Sequence, residues 1–217
     1  MKTSLPTSTR PWMRQSKQFF YFNGFNSAIL EDFSDNSKIV AVADFAERKD
    51  YRFMPVSIRY RRAGPQASEV LAMVGATVSE VVFCGSSMGG WFARILQLML
   101  NRERPEIKSA AIGFNPAYDL REHGHMLLGP QQNHVTLENY EWTADHGMDL
   151  HRLEAAVDYD AALPFFVYLD KGDELIGWEH SAQRHSPISR VTAFEGGCHS
   201  FDHYHEALAD FGAVFTK

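Results

Sequence analysis

The sequence predicts an α/β fold: a reduced, mainly parallel sheet of about six strands with helices on both faces and a small cap insert. Short apolar runs rich in β-branched and aromatic residues alternate with segments of helical apolar spacing. The strands are apolar nearly throughout, which is typical of strands buried on both faces. A chain of 217 residues suits one domain with a core of its own.

Six strands are expected from these apolar runs. An Asn-Gly pair ends the first of them. Pro55 stands near the start of the second, which fits a strand at the sheet edge. The predicted strands are 18–22, 53–60, 80–84, 110–114, 165–169 and 189–194.

The intervening helices follow from apolar spacing of three and four residues. In the segment 89–101 the residues are apolar nearly all round, which predicts a buried helix. Parallel strands joined by helices place binding and catalytic sites beyond the carboxyl ends of the strands. The other predicted helices are 37–48, 65–77, 178–185 and 204–211, with a weak helical pattern at 150–157.

Composition excludes several classes of protein. Apolar residues make up 45 % of the chain and charged residues 22 %, which are ordinary globular values. The longest apolar runs are too short for a membrane span, and a net charge of −6 argues against a nucleic-acid partner. The charge is unevenly spread, at +5 in residues 1–108 and −11 in 109–217, and all ten histidines lie between His123 and His205.

Cysteine usage and the N-terminus bear on location. Two cysteines, Cys84 and Cys198, do not make a disulfide framework, so a reduced cytoplasmic protein is expected. Residues 1–17 are basic and rich in Ser and Thr, without the apolar core of a secretory signal. We therefore expect a flexible lead-in at 1–17 and a single domain at 18–217.

A candidate nucleophile lies directly after the third predicted strand. The segment 85–90 reads G-S-S-M-G-G and contains G-x-S-x-G centred on Ser87, followed by the apolar helix. Such a turn presents the serine hydroxyl above the sheet, and Gly85 and Gly89 leave room where strand and helix approach each other. The alternative is a Gly-rich turn without chemistry, which in other proteins binds phosphate.

The acid and the base are expected after the last two strands. α/β-Hydrolases order these residues as Ser, then Asp or Glu, then His. His199 follows Gly-Gly after the sixth strand and suits a general base. Asp173 follows the fifth strand and is favoured as its partner, with Asp170 and Glu174 as rivals.

Two further histidines could compete for the role of base, and Asp170 could have a structural role instead of a catalytic one. His203 and His205 are interpreted as a solvated face of the last helix. Asp170 stands nearer its strand end than Asp173 does, so a loop cap is an alternative role for it.

The loop after the first strand is the candidate second half of an oxyanion hole. It reads N-G-F-N-S from Asn23, and its strand is expected to neighbour the nucleophile strand. The backbone N–H groups of Phe25 and Met88 are the predicted donors. Asn23 is expected to brace the loop and to contribute to substrate binding, whereas the alternative for Asn23-Gly24 is a plain turn.

Together these segments resemble the YqiA/YcfP-like group of small bacterial α/β-hydrolases, which are described as esterases. The resemblance extends over about 18–211 and implies Ser87, Asp173 and His199 as the triad, acting on short acyl esters or thioesters. Asn23 replaces the usual His of the group, and Cys198 replaces an acid beside the base. The matching motifs are N-G-F-N-S (23–27), G-S-S-M-G-G (85–90), F-N-P-A (114–117), G-D-E (172–174) and G-G-C-H-S-F (196–201).

A polar, His-rich segment at 118–163 separates the fourth and fifth strands; we call it the insert. It is expected to form a cap or lid over the pocket. Tyr118 and Trp142 are predicted to line an acyl pocket, and packing of the insert onto the body is an equal alternative.

The remaining polar clusters predict less. Arg59, Arg61 and Arg62 follow the second strand and suit either a phosphate-bearing carrier, such as CoA or an acyl-carrier protein, or a solvated edge. No metal site is expected, because the histidines lack a recognised zinc spacing.

The sequence therefore predicts a serine hydrolase of carboxylic esters or thioesters that needs no cofactor. Its partner would be a small-molecule substrate, with neither nucleic acid nor a membrane span involved. Two alternatives stay open: a non-catalytic binding protein of the same fold, and an acyltransferase or C–C hydrolase with the same triad.

Overall fold

Eight strands and seven helices make up the parts of the chain that the computed structural model describes, residues 16–159 and 162–216. The strands are β1 Lys17–Phe22, β2 Arg52–Val56, β3 Glu80–Ser86, β4 Lys108–Phe114, β5 Gly129–Gln132, β6 Asn139–Trp142, β7 Phe165–Asp170 and β8 Arg190–Phe194. The helices are α1 Ser37–Arg48, α2 Ala63–Ala72, α3 Met88–Glu103, α4 Leu120–His123, α5 Ala144–Ala155, α6 Trp178–His185 and α7 Tyr204–Phe215.

Six of the strands form one parallel sheet in the order β2-β1-β3-β4-β7-β8. The predicted fold class is thereby confirmed, including the pairing of β1 with the nucleophile strand β3. β2 lies at the edge, where Pro55 costs no ladder hydrogen bond on the open side.

The core lies on both faces of this sheet. α1 and α7 pack together on one face, where the ring of Phe45 lies 6.0 Å from that of Phe211. α3 packs on the other face, and its Phe92 contacts the ring of Phe22 edge-on at 5.4 Å. Buried on both sides, β3 and β4 fix the position of the turns that follow them.

The boundaries of several elements differ from the prediction. The second strand was predicted to reach residue 60, but it ends at Val56. Beyond it, both the N–H and the C=O of Ile58 bond to the side chain of Asn23, and a 3₁₀ turn runs from Tyr60 to Arg62. α5 begins six residues before the weak pattern at 150–157, because Thr143 and His146 form a capping box at its N-terminus.

The insert holds the least predictable part of the fold. It contains α4, a short 3₁₀ helix, the antiparallel hairpin β5–β6 and α5. The hairpin has polar strands of four residues each, a pattern from which no strand was predicted. Whether the insert moves as a lid stays a prediction.

Of the predicted lead-in at 1–17, only Ser16 and Lys17 lie among the described residues, and Lys17 begins β1. Within the described ranges, no helix has the length and apolar character needed to cross a bilayer.

Candidate active site

Ser87 occupies a strained turn between β3 and α3. Its backbone has φ 54° and ψ −124°, a region that residues with a side chain rarely adopt. The Ser87 N–H donates to the carbonyl of Phe114 at 2.9 Å, and the Ser87 carbonyl accepts from the Ala117 N–H at 3.0 Å. The neighbouring strand thus holds this unfavourable conformation in place.

Glycines around the turn are required by close backbone approach. A Cβ on Gly85 would lie 2.8 Å from the Cα of Gly89, and one on Gly89 would lie 2.7 Å from the carbonyl oxygen of Asn23. A Cβ on Gly90 would lie 2.9 Å from the Cα of Gly113. The steric reason given for the G-x-S-x-G pattern therefore applies here.

His199 and Asp173 form a hydrogen-bonded pair beyond the ends of β8 and β7. The Nδ1 of His199 lies 2.9 and 3.0 Å from the two carboxylate oxygens of Asp173. Only 2 % of the Asp173 side chain and 19 % of the His199 side chain are exposed. The other ring nitrogen of His199, Nε2, has no hydrogen-bond partner among the described residues, and neither has the Ser87 hydroxyl.

The surroundings of Asp173 favour its ionised form. Burial raises its pKa, but hydrogen bonds from His199 and from the N–H groups of Ile176 and Leu175 outweigh burial and lower the pKa below its usual value. A carboxylate held in this way orients the imidazole and stabilises the imidazolium.

The two rival acids hold the loop after β8. Asp170 has no exposed surface, and its Oδ2 accepts from the N–H groups of Asp202 at 2.7 Å and Cys198 at 3.4 Å. A Cβ on Gly197 would lie 2.8 Å from the Asp170 Cβ, so glycine is needed there. Glu174 is exposed and accepts from the His199 N–H at 2.9 Å, which lowers the Glu174 pKa.

His203 does not lie on a solvated face, and that interpretation was wrong. Its Nδ1 bonds to Asp170 at 2.7 Å, and its ring stacks on Phe194 with centroids 4.9 Å apart. It is the N-cap residue of α7, so it points back toward the strand ends rather than out along the helix. His205, the second residue of α7, is exposed as expected.

Asn115 is the functional residue to which sequence reasoning assigned no role. It follows β4 with φ 43°. Its side-chain Oδ1 accepts from the Asp170 N–H at 2.8 Å, and its Nδ2 donates to the carbonyls of Cys198 at 2.9 Å and His199 at 3.3 Å. One amide therefore joins the acid loop to the base loop. The F-N-P-A motif was the signal, since Asn tolerates positive φ.

The loop after β1 lies against Ser87. A Cβ on Gly24 would be 3.3 Å from the Cβ of Ser87 and 3.9 Å from its hydroxyl oxygen. The backbone N–H groups of Phe25 and Met88 donate to no group in the described parts of the chain, so both are available to an oxyanion.

Asn23 braces this loop. It is buried, and its amide group donates to the carbonyls of Gly24, Ser27 and Ile58 while accepting from the Ile58 N–H. The bracing role expected for Asn23 is thus present, and its polar atoms are engaged with the backbone; contact with substrate stays a prediction.

The hairpin β5–β6 of the insert holds the loop from its other side. Asn26, at φ 55°, donates to Gln131 at 2.7 Å and accepts from the hydroxyl of Tyr140. The His134 N–H donates to the Asn26 carbonyl at 2.8 Å. The Phe25 ring meets Trp142 edge-on at 5.1 Å. The insert thereby fixes the residues that follow the predicted oxyanion donor.

The other two predicted substrate residues pack within the protein. Trp142 is 1 % exposed, and Tyr118 is half-buried with its ring 5.9 Å from that of His185. These positions match the alternative of packing between insert and body; a role in an acyl pocket stays a prediction.

Both cysteines are free thiols. In the described ranges, no group of three His, Cys, Asp or Glu residues is placed to hold a metal ion.

Comparisons with known proteins agree with this geometry. The chain belongs to the uncharacterised protein family UPF0227, whose family model matches residues 18–215; this is the YqiA/YcfP-like group that the motifs indicated. A comparison with curated proteins gives no match.

Solved structures show the fold of α/β-hydrolases. The esterase Est1E from Butyrivibrio proteoclasticus superposes with a TM-score of 0.65 at 16 % identity, covering 92 % of this chain and 88 % of its own. A putative hydrolase from Agrobacterium vitis S4 gives 0.68 at 15 % identity, with 91 % and 87 % covered. The α/β hydrolase domain-containing protein 10 from mouse gives 0.64 at 20 % identity, with 91 % and 88 % covered.

Proposed function

We propose that this protein is a serine hydrolase that cleaves carboxylic esters or thioesters of small molecules through an acyl-enzyme. One observation carries the proposal: a buried carboxylate, Asp173, is hydrogen-bonded to the Nδ1 of His199 at the sheet edge where Ser87 occupies a strained strand-to-helix turn. Chain order and strand ends match the arrangement that nucleophilic catalysis by serine requires.

Each residue has one role in the proposed reaction. The Ser87 oxygen attacks the substrate carbonyl while the Nε2 of His199 takes the hydroxyl proton. The N–H groups of Phe25 and Met88 bind the resulting oxyanion. Collapse of this intermediate breaks the bond to the alcohol or thiol, which receives the proton from His199. A water molecule, activated by His199, then releases the acid and restores Ser87.

Asp173 acts on His199 rather than on the substrate. Since its carboxylate accepts from Nδ1, the imidazole presents an unprotonated Nε2 toward the reacting groups. The imidazolium that forms during attack is stabilised by the same carboxylate.

The proposal also covers the carrier of the acyl group and the location of the protein. Thioesters of CoA or of an acyl-carrier protein are included as substrates, because Arg59 and Arg61, two of the three predicted basic residues after β2, line a cavity beside the loop that holds Phe25. The free thiols of Cys84 and Cys198 support a cytoplasmic location.

Labelling with a fluorophosphonate probe tests the proposed nucleophile. We expect one adduct, mapped by mass spectrometry to Ser87, and loss of both labelling and ester hydrolysis in Ser87→Ala. Ser86→Ala is the matched control, since the Ser86 hydroxyl bonds to Tyr21 and has no role in the reaction. Labelling elsewhere, or esterase activity retained by Ser87→Ala, would overturn the proposal.

A panel of 4-nitrophenyl esters and acyl thioesters of increasing chain length then defines the acyl group. Adding methanol beside water separates hydrolysis from acyl transfer, because a transferase would form the methyl ester in excess of the acid. If no substrate turns over while the probe fails to label Ser87, the non-catalytic alternative is favoured.

A further inference from the structure

A cavity of about 410 Å³ lies beside the candidate oxyanion loop. Three segments enclose it: residues 25–30 after β1, residues 57–61 after β2, and residues 133–140 at the turn of the insert hairpin. Its size falls in the range of small-molecule sites. The side chain of Phe25 lines it, so the cavity begins at the residue whose N–H is the proposed oxyanion donor.

The charged residues that line the cavity are two arginines and one glutamate. Arg61 forms an ion pair with Glu138, and its guanidinium also lies 4.8 Å from the ring centre of Tyr140. These two charges cancel. Arg59 is exposed and forms hydrogen bonds only through its backbone, whose N–H donates to Gln66 and whose carbonyl accepts from Arg62, so its guanidinium has no partner in the described parts of the chain.

The cavity therefore carries one uncompensated positive charge in a protein whose net charge is −6. The hydroxyls of Ser27 and Ser57 also line it, and neither is charged. A guanidinium with free N–H donors is the side chain best suited to bind a carboxylate or phosphate.

The walls of this cavity are held in place before any ligand arrives. Asn133 donates to the Ser27 carbonyl at 2.9 Å, and the Tyr140 hydroxyl bonds to Asn26. On the side of the body, the Ser57 hydroxyl accepts from the Ile29 N–H at 3.2 Å. Preformed walls reduce the ordering cost of binding.

We propose that this cavity is a subsite for an anionic group of the substrate, bound by Arg59. The inference rests on the proposed function and deepens it: the preferred esters or thioesters carry a carboxylate or a phosphate at some distance from the scissile carbonyl. Binding energy at Arg59 then lowers KM for anionic substrates relative to neutral ones.

Matched ester pairs test the charge requirement. 4-Nitrophenyl adipate monoester carries a free carboxylate, and its methyl ester is the neutral counterpart. We expect wild type to prefer the anionic ester, and Arg59→Gln to lower the ratio of the two kcat/KM values about fivefold, through KM. Raising the salt concentration should lower the same ratio in wild type.

A second pair distinguishes phosphate from carboxylate as the source of the charge. Acetyl-CoA carries phosphates, whereas S-acetylpantetheine carries none. A dependence on Arg59 only in this pair assigns the subsite to a phosphate-bearing carrier, and a dependence only in the adipate pair assigns it to a carboxylate on the substrate itself.

Arg62→Gln is the control variant, because Arg62 is exposed, pairs with Glu69 and does not line the cavity. Ratios unchanged by Arg59→Gln, or lowered equally by Arg62→Gln, would overturn the subsite. If wild type cleaves none of these substrates, the proposed function fails. NMR-detected binding of monomethyl adipate and of CoA then tests the anionic subsite independently of catalysis. Binding that is equal in wild type and Arg59→Gln would then contradict it.

Discussion

Two histidine–carboxylate pairs lie side by side beyond β7 and β8, and their environments differ. In both pairs the imidazole bonds through Nδ1, its Nε2 has no partner among the described residues, and its side chain is partly exposed, by 19 % at His199 and 26 % at His203. Each carboxylate is buried and accepts two backbone N–H groups, so the pairs differ at the imidazole: the His203 ring is stacked on Phe194 at the N-cap of α7, whereas the His199 ring stacks on no aromatic ring of the described residues.

The difference teaches which pair is suited to chemistry. A general base needs a ring that can present its free nitrogen to the substrate, whereas an imidazole stacked on a neighbouring ring at the start of a helix is held in place as part of the fold. Proximity of His to Asp alone does not separate these roles, since the shortest distances are 2.9 and 2.7 Å.

The largest expected effect comes from truncating each histidine. His199→Ala should lower kcat on a short ester on the order of 10⁴-fold, because the general base is lost. His203→Ala should lower kcat about tenfold or less, with a loss of about 1–2 kcal/mol in the free energy of unfolding. Steady-state kinetics and urea unfolding of both variants measure this. Equal losses of kcat would end the distinction between the pairs.

Isosteric changes of the two acids sharpen the same contrast. Asp173→Asn should reduce kcat about 10³- to 10⁴-fold with little change in stability, since the amide stabilises the wrong imidazole tautomer. Asp170→Asn should destabilise the fold by about 2–3 kcal/mol, because its acceptor bonds weaken in a buried site. Kinetics and thermal unfolding, read together, separate the outcomes; a catalytic loss confined to Asp170→Asn would reverse the assignment.

Asn115 links the two pairs and tests whether they act as one unit. Asn115→Ala removes the bonds to the Asp170 N–H and to the carbonyls of Cys198 and His199. We expect a loss of about 2–4 kcal/mol in stability and a fall of about 10- to 100-fold in kcat from misplacement of His199. A variant with normal kcat and reduced stability would show that the loops keep their positions without this amide.

His185 is a third histidine, buried without any carboxylate partner. Neither ring nitrogen has a hydrogen-bond partner among the described residues, and burial, with a contribution from Arg184, lowers its pKa to about 3. Because the unfolded chain binds a proton near pH 6.5 and the folded chain does not, stability should fall as the pH drops from about 6.5 toward 3.

The comparison with His185→Leu isolates this contribution. Relative to its value at pH 7.5, the stability of wild type at pH 5 should fall by about 2 kcal/mol more than that of the variant. Urea unfolding of both proteins at the two pH values measures the difference. Parallel pH dependences would mean that His185 does not stay neutral in the fold.

The smallest effect concerns the oxyanion side of the site, which the insert holds. Tyr140→Phe removes one hydroxyl bond to Asn26, and we expect about a threefold fall in kcat and a loss of about 1 kcal/mol in stability. Tyr51→Phe is a matched control, since its hydroxyl bonds to Glu80 at the start of β3, at the opposite end of the sheet from the site. If the two variants have the same kcat, the insert does not position the loop.

Much of the fold could be predicted from local patterns. Helix α1 begins and ends at the predicted residues because its apolar spacing defines it, and α6 also has the predicted bounds. The hairpin β5–β6 could not be predicted, since its strands are short and polar and are stabilised by contacts with a loop about a hundred residues away. Propensity does not encode such contacts.

The candidate site also has one part that the sequence predicts and another part that it does not. Motif and chain order pointed to Ser87, Asp173 and His199, because a strained turn and strand-end loops leave traces in glycine spacing. The choice between Asp170 and Asp173, and the contacts of His203 with Asp170 and Phe194, depended on the direction of each side chain, which no spacing reveals.

The sequence by itself determined the parallel sheet, its strand-end loops and the identity of the serine turn, since periodicity and glycine placement are local properties of the chain. Only the tertiary structure decided which carboxylate meets which histidine, that Asn115 joins their loops, and that Arg59 lines a cavity with no side-chain partner among the described residues. These features arise when residues distant in the chain meet at one edge of the sheet, where burial and hydrogen bonding select one arrangement among several that the sequence allows.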